Sequence, residues 1–171
     1  MYEYEMPRLL ASHNRWMNEN LYAACSGIPD EERKRDLGAF FGSIHGTLNH
    51  LLLVDRLWLG RIRNVPFHIE SLDQELYGDF DTLKCERRET DSEISRMMAE
   101  LSPDSLGRQI AYTSFLKKAT VRLPLGLILA HVFHHQTHHR GQVTTLVSQL
   151  GYDFGVTDMI YMPGAATDYF C

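Results

Sequence analysis

Five of the nine histidines in this chain fall within one stretch of nine residues. On a helix, residues four apart lie one above the other, so these side chains would form two rows. The rows are His131, His135 and His139, and His134 and His138. Two imidazoles at this spacing can bind one metal ion, but three in a row cannot, because the outer pair is about 12 Å apart along the helix. The pattern therefore predicts a metal site with at most two ligands from one row and a third from another segment.

His50 is the best-placed third ligand. It lies in a segment, residues 43–59, that is apolar on most sides, and a histidine inside such a helix needs a polar partner. His45, near the start of the same segment, is expected to be exposed or to cap the helix. On the histidine-rich helix, spacing alone leaves three pairs open: 131/135, 135/139 and 134/138. Packed neutral histidines or adventitious metal binding are the alternatives, but five histidines inside an apolar helix favour a functional site.

A site with three imidazoles leaves a coordination position for water or substrate, as catalytic metal sites do. Such a set suits zinc, nickel, iron(II), cobalt or copper, and the ion lowers the pKa of bound water or of a bound thiol. The residue after His135 is Gln136, where a zincin protease has a glutamate base, and inward glutamate pairs of di-iron bundles are missing. Neither of those enzyme classes is supported. Asp55 is off the face of His50 and is expected to pair with an arginine such as Arg140.

The composition limits the class of protein. A chain of 171 residues with ordinary apolar content predicts one domain, residues 1–171. A net charge of −5 without a basic run argues against binding to nucleic acid. We find no apolar run long enough to span a membrane and no export signal, and therefore expect a cytoplasmic protein. Cys25, Cys85 and Cys171 are widely spaced and are expected to be free thiols.

Helical periodicity, strand alternation and capping residues predict the elements that must position the histidines. The first half of the chain should contain a helix over residues 7–25, a short segment with Asp30 as N-cap, and a helix from Ser43 to residues 60–64. A connector over 64–80 leads to a helix that is capped by Asp79 or Asp81 and extends to Leu101. A hairpin of residues 109–115 and 119–123 then precedes a helix from Pro124 to about Leu150. Gly141 in the last helix is expected to let another backbone approach closely. The tail, residues 152–171, is expected to pack on the bundle or on a second subunit.

The residues on these helices resemble those of a known family. The motif reads His50-x-x-x-x-Asp55-x-x-Trp58 and then His131-Val132-x-x-His135-x-x-x-His139-Arg140-Gly141-Gln142. It is similar to the pattern of the DinB-like (DinB/YfiT-like) family, whose members are regarded as metalloenzymes. The similarity extends to residues 81–91, to the hairpin around Tyr112 and to residues 155–158, so it covers nearly the whole chain.

The resemblance implies a fold and a metal site. The fold would be an all-α four-helix bundle with up-down-down-up connectivity and a small β-hairpin before the last helix, in a homodimer. His50, His135 and His139 would bind a divalent metal ion, with zinc or nickel as first choice and iron, manganese or cobalt as alternatives. From their positions alone, not from the resemblance, we expect His131 and His138 to support the ligands or to face the substrate.

The resemblance also implies a class of reaction. Relatives of known activity include S-transferases and isomerases that use bacillithiol, mycothiol or glutathione. We therefore expect thiol-dependent S-transfer to small electrophiles, with a low-molecular-weight thiol as partner, and assign no catalytic side chain. A metal-dependent hydrolase is the first alternative. A non-catalytic, metal-stabilised stress or dimerisation protein is the second.

Overall fold

Four long α-helices and one short one dominate the part of the chain that the structure describes, residues 5–115 and 117–164. The structure is a computed structural model. Its helices and strands are α1 (Glu5–Ser26), α2 (Asp30–Lys34), α3 (Ile44–Arg63), α4 (Phe80–Ala99), β1 (Gln109–Thr113), β2 (Thr120–Pro124) and α5 (Leu125–Gln149). Short 3-10 turns lie at Pro103–Gly107 and Met159–Tyr161. The predicted helical class, with a small hairpin before the last helix, is confirmed.

Contacts between side chains show how the four long helices run. In α1 and α4, and again in α3 and α5, an early residue of one helix meets a late residue of the other, so both pairs are antiparallel. In α3 and α4 the order is the same in both helices, so this pair is parallel. The contacts are Arg8–Ala99 and Ser26–Lys84 for α1 and α4, Arg56–Glu86 and Arg63–Glu93 for α3 and α4, and His50–His135 and Trp58–His131 for α3 and α5. The bundle therefore runs up-down-down-up.

Local caps fix the ends of α3 and α4. The Ser43 hydroxyl accepts a hydrogen bond from the Gly46 N–H at 3.0 Å, and Asn64 ends α3 in a left-handed conformation with φ of 57°. The Asp79 carboxylate accepts a bond from the Thr82 N–H at 2.7 Å. These caps satisfy backbone groups that the helices leave unpaired. They also confirm the predicted starts of both helices.

A buried polar layer separates two apolar clusters along the bundle. One cluster surrounds Trp58 and the Met97–Met98 pair, and the other surrounds Leu48 and Leu83. Burial of each large apolar side chain contributes roughly 1.5–3 kcal/mol. Every long helix carries polar side chains at the level between the clusters. The buried ones are Asn14, Asn18, His50, Asp55, Arg87, Asp91, Gln136, His139 and Arg140.

Three details differ from the sequence predictions. Asp30 is the first residue of α2 instead of its N-cap, and its carboxylate pairs with Lys34 at 2.7 Å, one turn later. Pro124 ends β2, and α5 begins one residue after it. Gly141 lies on an exposed side of α5, where a Cβ would meet no atom of another described segment within 4 Å, so the expected close approach of another backbone does not occur among the described residues.

The hairpin and the tail complete the fold. The hairpin turn contains neither glycine nor asparagine, and Lys118 takes the left-handed conformation there with φ of 51°. In the tail, Tyr152 and Phe154 pack against the cluster around Leu48, so this part contacts the bundle as predicted. Residues 165–171, which include Cys171, lie outside the described residues.

Two further findings concern the cysteines and the length of the helices. Cys25 is buried, Cys85 is exposed, and both are free thiols as predicted. Within the described residues, we find no helix long and apolar enough to cross a membrane.

Candidate metal centre

Three imidazoles converge between α3 and α5, in the polar layer. His50 comes from α3, and His135 and His139 come from successive turns of α5. One ring nitrogen of each lies within 4.8 Å of the corresponding nitrogens of the other two. The Nε2 atoms of His50 and His135 are 3.1 Å apart. Metal–nitrogen bonds of about 2.0–2.1 Å bring ligand nitrogens to similar separations. The arrangement is therefore compatible with one bound metal ion.

Two of the three rings are oriented by hydrogen bonds from Nδ1. The Nδ1–H of His50 donates to the backbone carbonyl of Leu72 at 2.7 Å. The Nδ1–H of His139 donates to the side-chain oxygen of Gln142, also at 2.7 Å. Because a neutral imidazole carries one proton, each Nε2 keeps its lone pair for the interior of the cluster. Metal-binding histidines in proteins are fixed in the same way.

The ring nitrogens of His135 are not both satisfied by hydrogen bonds within the cluster. Its Nδ1 is buried and has no hydrogen-bond partner among the described residues, while its Nε2 faces the Nε2 of His50. A hydrogen bond between the two Nε2 atoms would put the proton of His135 on Nε2 and leave a buried Nδ1 lone pair unpaired. The other tautomer would place two lone pairs against each other. A cation at the centre satisfies the second arrangement, so the donor set fits a metal ion.

The pKa values of the three histidines keep the rings neutral. Burial lowers the pKa of His50 to about 4, in spite of the bond to Leu72, and lowers that of His135 to about 3, with a further contribution from the neighbouring histidines. Burial also lowers the pKa of His139. At neutral pH the site therefore offers three unprotonated nitrogens, and a metal ion would not have to displace protons from them.

Phe41 covers one side of the cluster, and sequence reasoning did not find it. Its ring stacks on His50 with centroids 3.7 Å apart and an interplanar angle of 18°, and it meets the edge of His139 at 5.4 Å. Gly46 permits this position, because a Cβ there would clash with the Phe41 carbonyl oxygen. The only sequence signal was a glycine inside the first turn of α3.

The other histidines lie outside the cluster. His131 is exposed, one turn before His135, and its ring contacts Trp58 at 5.4 Å. His134 and His138 are exposed on a different face of α5. The expectation for His45 was wrong: its side chain is buried and Nε2 lies 2.8 Å from the Tyr77 carbonyl oxygen, because the connector folds over the start of α3.

Carboxylates are missing from the cluster itself. Within residues 5–115 and 117–164, the metal-compatible group that includes these histidines contains no aspartate or glutamate. Gln136 is buried beside His135, and neither polar atom of its side chain has a partner among the described residues. A glutamine amide cannot serve as a proton acceptor in the way a glutamate does. The arrangement therefore lacks the general base of a zincin protease.

A second buried polar cluster, the ionic network, lies in the same layer. The Arg87 guanidinium contacts Asp55 at 2.6 Å and Asp91 at 2.9 Å. Asn18 donates to Asp91 at 3.0 Å. Asp55 thus pairs with an arginine as expected, but the arginine is Arg87 of α4, which sequence reasoning had not considered.

Arg140 joins α5 to this network through α1. Its guanidinium donates to the side-chain oxygen of Asn14, and the amide of Asn14 donates to Asp91 at 2.9 Å. Burial lowers the pKa of Arg140 to about 10, opposed by the two aspartates Asp55 and Asp91. The residue after His139 therefore anchors α5 and holds the ligand-bearing turn in place.

Comparisons with known proteins agree with this fold. The sequence profile of the DinB family matches residues 1–168. Protein DinB of Bacillus subtilis (strain 168) is 25% identical over 164 residues, which cover 87% of this chain and 88% of that protein. The crystal structure of a DinB-like protein from Bacillus cereus ATCC 10987 superposes with a TM-score of 0.63 at 18% identity, over 82% of this chain and 90% of the other. From the profile match over nearly its full length, the chain belongs to the DinB family.

Proposed function

We propose that this protein is a divalent-metal-dependent enzyme that transfers a low-molecular-weight thiol to small electrophiles. The observation that carries the proposal is the set of three neutral, converging imidazoles, whose cluster of ligand atoms includes no carboxylate among the described residues. The charge of the exposed Asp73 raises the pKa of His50, but the Asp73 carboxylate is not part of that cluster. A thiol reaction depends less on a carboxylate base than hydrolysis does. A free thiol has a pKa of about 8.5, far below that of bulk water, so a thiol needs far less help to lose its proton.

His50, His135 and His139 would hold the ion, with zinc or nickel as first choice and iron, manganese or cobalt as alternatives. A bound divalent cation would supply Lewis acidity that lowers the pKa of a thiol at the open position. In the overall reaction the thiol gives its proton to solvent, its sulfur bonds to the electrophilic carbon, and the leaving group departs with the bonding electrons.

The chain's own residues prepare the site for this chemistry. The Leu72 carbonyl and the Gln142 side chain orient two rings, so little reorganisation accompanies binding. Phe41 covers His50 and excludes water from that side. The network through Arg140 fixes the position of α5 relative to α1. These roles are positioning and shielding, and no proton-transfer role is assigned to a side chain.

A second candidate is a structural metal that holds the bundle together without turnover. The observation in its favour is that the three imidazoles come from two antiparallel helices, so one ion would cross-link α3 and α5. Metal binding alone does not separate the two candidates. Consumption of a thiol together with an electrophile does.

The test combines metal content with turnover, on protein prepared without a histidine tag. We expect about one divalent ion per chain by mass spectrometry, and loss of the ion in His50→Ala and His135→Gln. His134→Gln is the matched control, because His134 is exposed on the same helix outside the cluster. Retention of the ion in both cluster variants would contradict the metal site.

Turnover is then measured with glutathione and chlorodinitrobenzene, and separately with a nitrophenyl ester. We expect thiol consumption that depends on added metal and is lost in His135→Gln, with little ester cleavage. Ester cleavage without thiol consumption would favour the hydrolase. Metal binding with no turnover across a panel of thiols and electrophiles would favour the structural candidate.

A further inference from the structure

A cavity of about 590 Å³ lies between the C-terminal turn of α3, the connector that follows it, and the β-hairpin. Its size is that of a small-molecule site. Gly60 shapes its wall, since a Cβ there would lie 2.6 Å from the carbonyl oxygen of Val65, so the connector can pack directly on the helix. Phe67 and Phe115 give the cavity apolar walls.

The charge of the cavity is opposite to that of the chain. The described residues that line it include Arg61 and Lys118 and no aspartate or glutamate. The whole chain has a net charge of −5. A concave, partly apolar surface whose charged side chains are all positive attracts an anionic ligand.

Arg61 differs from its neighbours in α3 because it lacks a carboxylate partner. Arg56 pairs with Glu86, and Arg63 pairs with Glu93, whereas no ion pair or side-chain hydrogen bond to Arg61 occurs among residues 5–115 and 117–164. Its guanidinium instead lies over two aromatic rings, 4.6 Å from the centroid of Trp58 and 4.4 Å from that of Tyr112.

The two rings hold the guanidinium in place and leave its hydrogen-bond donors free. Burial without a carboxylate partner lowers the pKa of Arg61. The planar fork of an arginine matches a carboxylate with two parallel hydrogen bonds. Lys118, whose ammonium lies 4.7 Å from the centroid of the Phe115 ring, provides a second positive charge from the hairpin side.

Ring contacts connect this cavity with the histidine cluster. Trp58, which packs under Arg61, contacts His131 at 5.4 Å, and His131 contacts His135 at 5.8 Å. Along α3, Arg61 and His50 are separated by about 16 Å of helix rise. Side chains on a helix lean toward its N-terminus, so Arg61 reaches back toward the cluster.

We propose that this cavity binds the carboxylate of a small organic molecule with an apolar body, and that Arg61 is the principal contact. The substrate class follows if the proposed thiol transfer holds: at least one of the two reactants carries a carboxylate. The binding itself does not depend on that function.

Binding is tested by calorimetry on metal-free protein with benzoate and with its neutral counterpart benzamide. We expect benzoate to bind at least about tenfold more tightly, since charge-assisted hydrogen bonds from a guanidinium to a carboxylate are stronger than those to a neutral amide. Arg61→Gln should lose a similar factor, Lys118→Gln a smaller one, and Arg63→Gln, the ion-paired control on the same turn, should bind as the wild type does.

Two results would overturn the proposal. One is equal affinity of the wild type for benzoate and benzamide, which needs no variant to fold. The other is unchanged benzoate affinity in both Arg61→Gln and Lys118→Gln. Lys118 is exposed in the hairpin turn, so its replacement leaves the core intact.

Steady-state kinetics on the metal-loaded protein then separate the two sources of the carboxylate. Glutathione is compared with cysteamine, and chlorodinitrobenzoate with chlorodinitrobenzene, since only the first of each pair carries a carboxylate. We expect Arg61→Gln to raise KM for one carboxylate-bearing reactant alone, which identifies the source. An unchanged KM for both would overturn the assignment of substrate class. Absence of turnover in the wild type would overturn the proposed thiol transfer instead. The benzoate titration would still test carboxylate binding, because it does not depend on turnover.

Discussion

The polar layer of the bundle contains two buried clusters with opposite construction. In the ionic network, Arg87 contacts both Asp55 and Asp91, and asparagines donate further bonds to Asp91, so the buried charges are paired within the protein, although Arg87 Nε and Asp55 Oδ1 have no hydrogen-bond partner among the described residues. In the histidine cluster, three neutral rings bring their nitrogens together, with the Nε2 atoms of His50 and His135 3.1 Å apart, and His135 has a buried Nδ1 without a partner among the described residues.

This difference separates a structural element from a binding site. Buried charges are tolerated only when they are paired, and the network meets that condition with its own side chains. Converging imidazole nitrogens are neutral, and lone pairs that face one another without a proton or an acid between them are satisfied by a cation. Because both clusters lie at the same level of the bundle, the network can hold the helices in register while the histidine cluster stays ready for its ion.

Removal of Arg87 should have the largest effect. In Arg87→Met two buried carboxylates lose their cation, and we expect a loss of about 3–5 kcal/mol in the free energy of unfolding. Denaturant unfolding of metal-free protein measures it, with Arg88→Met, at an exposed neighbouring position, as control. A loss below about 1 kcal/mol would show that the network is not the stabilising element inferred here.

Metal should stabilise the wild type and fail to stabilise a cluster variant. A ligand at a hundred times its Kd adds about 2.7 kcal/mol to the free energy of unfolding. We expect a shift of this order for zinc or nickel with the wild type and with His134→Gln, and none with His135→Gln. The measurement is thermal unfolding across a metal titration. An equal shift in His135→Gln would place the ion elsewhere.

Loss of the support for His139 should have an intermediate effect. In Gln142→Leu the Nδ1–H of His139 loses its acceptor, and such changes typically cost about 10–100-fold in metal affinity. Competition with a chromophoric chelator gives the affinity. Gln149→Leu, at an exposed position that is the last residue of the same helix, is the control. Equal affinities in the two variants would mean that the orientation of His139 does not matter for binding.

Acid should destabilise the metal-free protein through the histidine cluster. The folded-state pKa values of His50 and His135, about 4 and about 3, lie below the unfolded value of 6.5. The unfolded chain therefore binds more protons, and the stabilising contribution, complete above pH 6.5, is lost as the pH falls toward 4. Burial raises the pKa of Asp91 to about 6, which gives a smaller opposite trend.

A pH series of denaturant unfolding between pH 7 and 5 measures this effect. We expect the free energy of unfolding to decrease over that range in the wild type and to decrease less steeply in His135→Gln, which lacks one of the contributing rings. Parallel profiles for the two proteins would contradict the buried, neutral state of His135.

The sequence alone predicted most of the histidine cluster, because helical geometry depends on local spacing. A spacing of four residues places His135 and His139 on one face of any helix, and an apolar helix with one interior histidine identifies His50. The choice among the open pairs came from the resemblance, and the structure brings together the three residues so chosen. That they bind the ion is still a prediction.

The ionic network and the supporting groups could not be found in the same way. Arg87 and Asp91 lie in a helix of alternating charges, a pattern typical of a solvated face, and only the packing of α4 against α1 and α3 shows which of those charges are buried. The same holds for His45, whose burial depends on a connector without regular structure. Nothing in the sequence distinguishes the Leu72 carbonyl from other backbone acceptors.

The sequence by itself determined the long helices, the caps that begin α3 and α4, and the side chains able to bind a metal, because these follow from interactions within a few turns of one helix. The tertiary structure decided which nitrogens face each other, that Phe41 covers them, that Asp55 pairs with Arg87, and that Arg61 lines a cavity without an acid. Those features depend on how distant segments pack, and a partner at long sequence separation leaves no periodic signal in the chain.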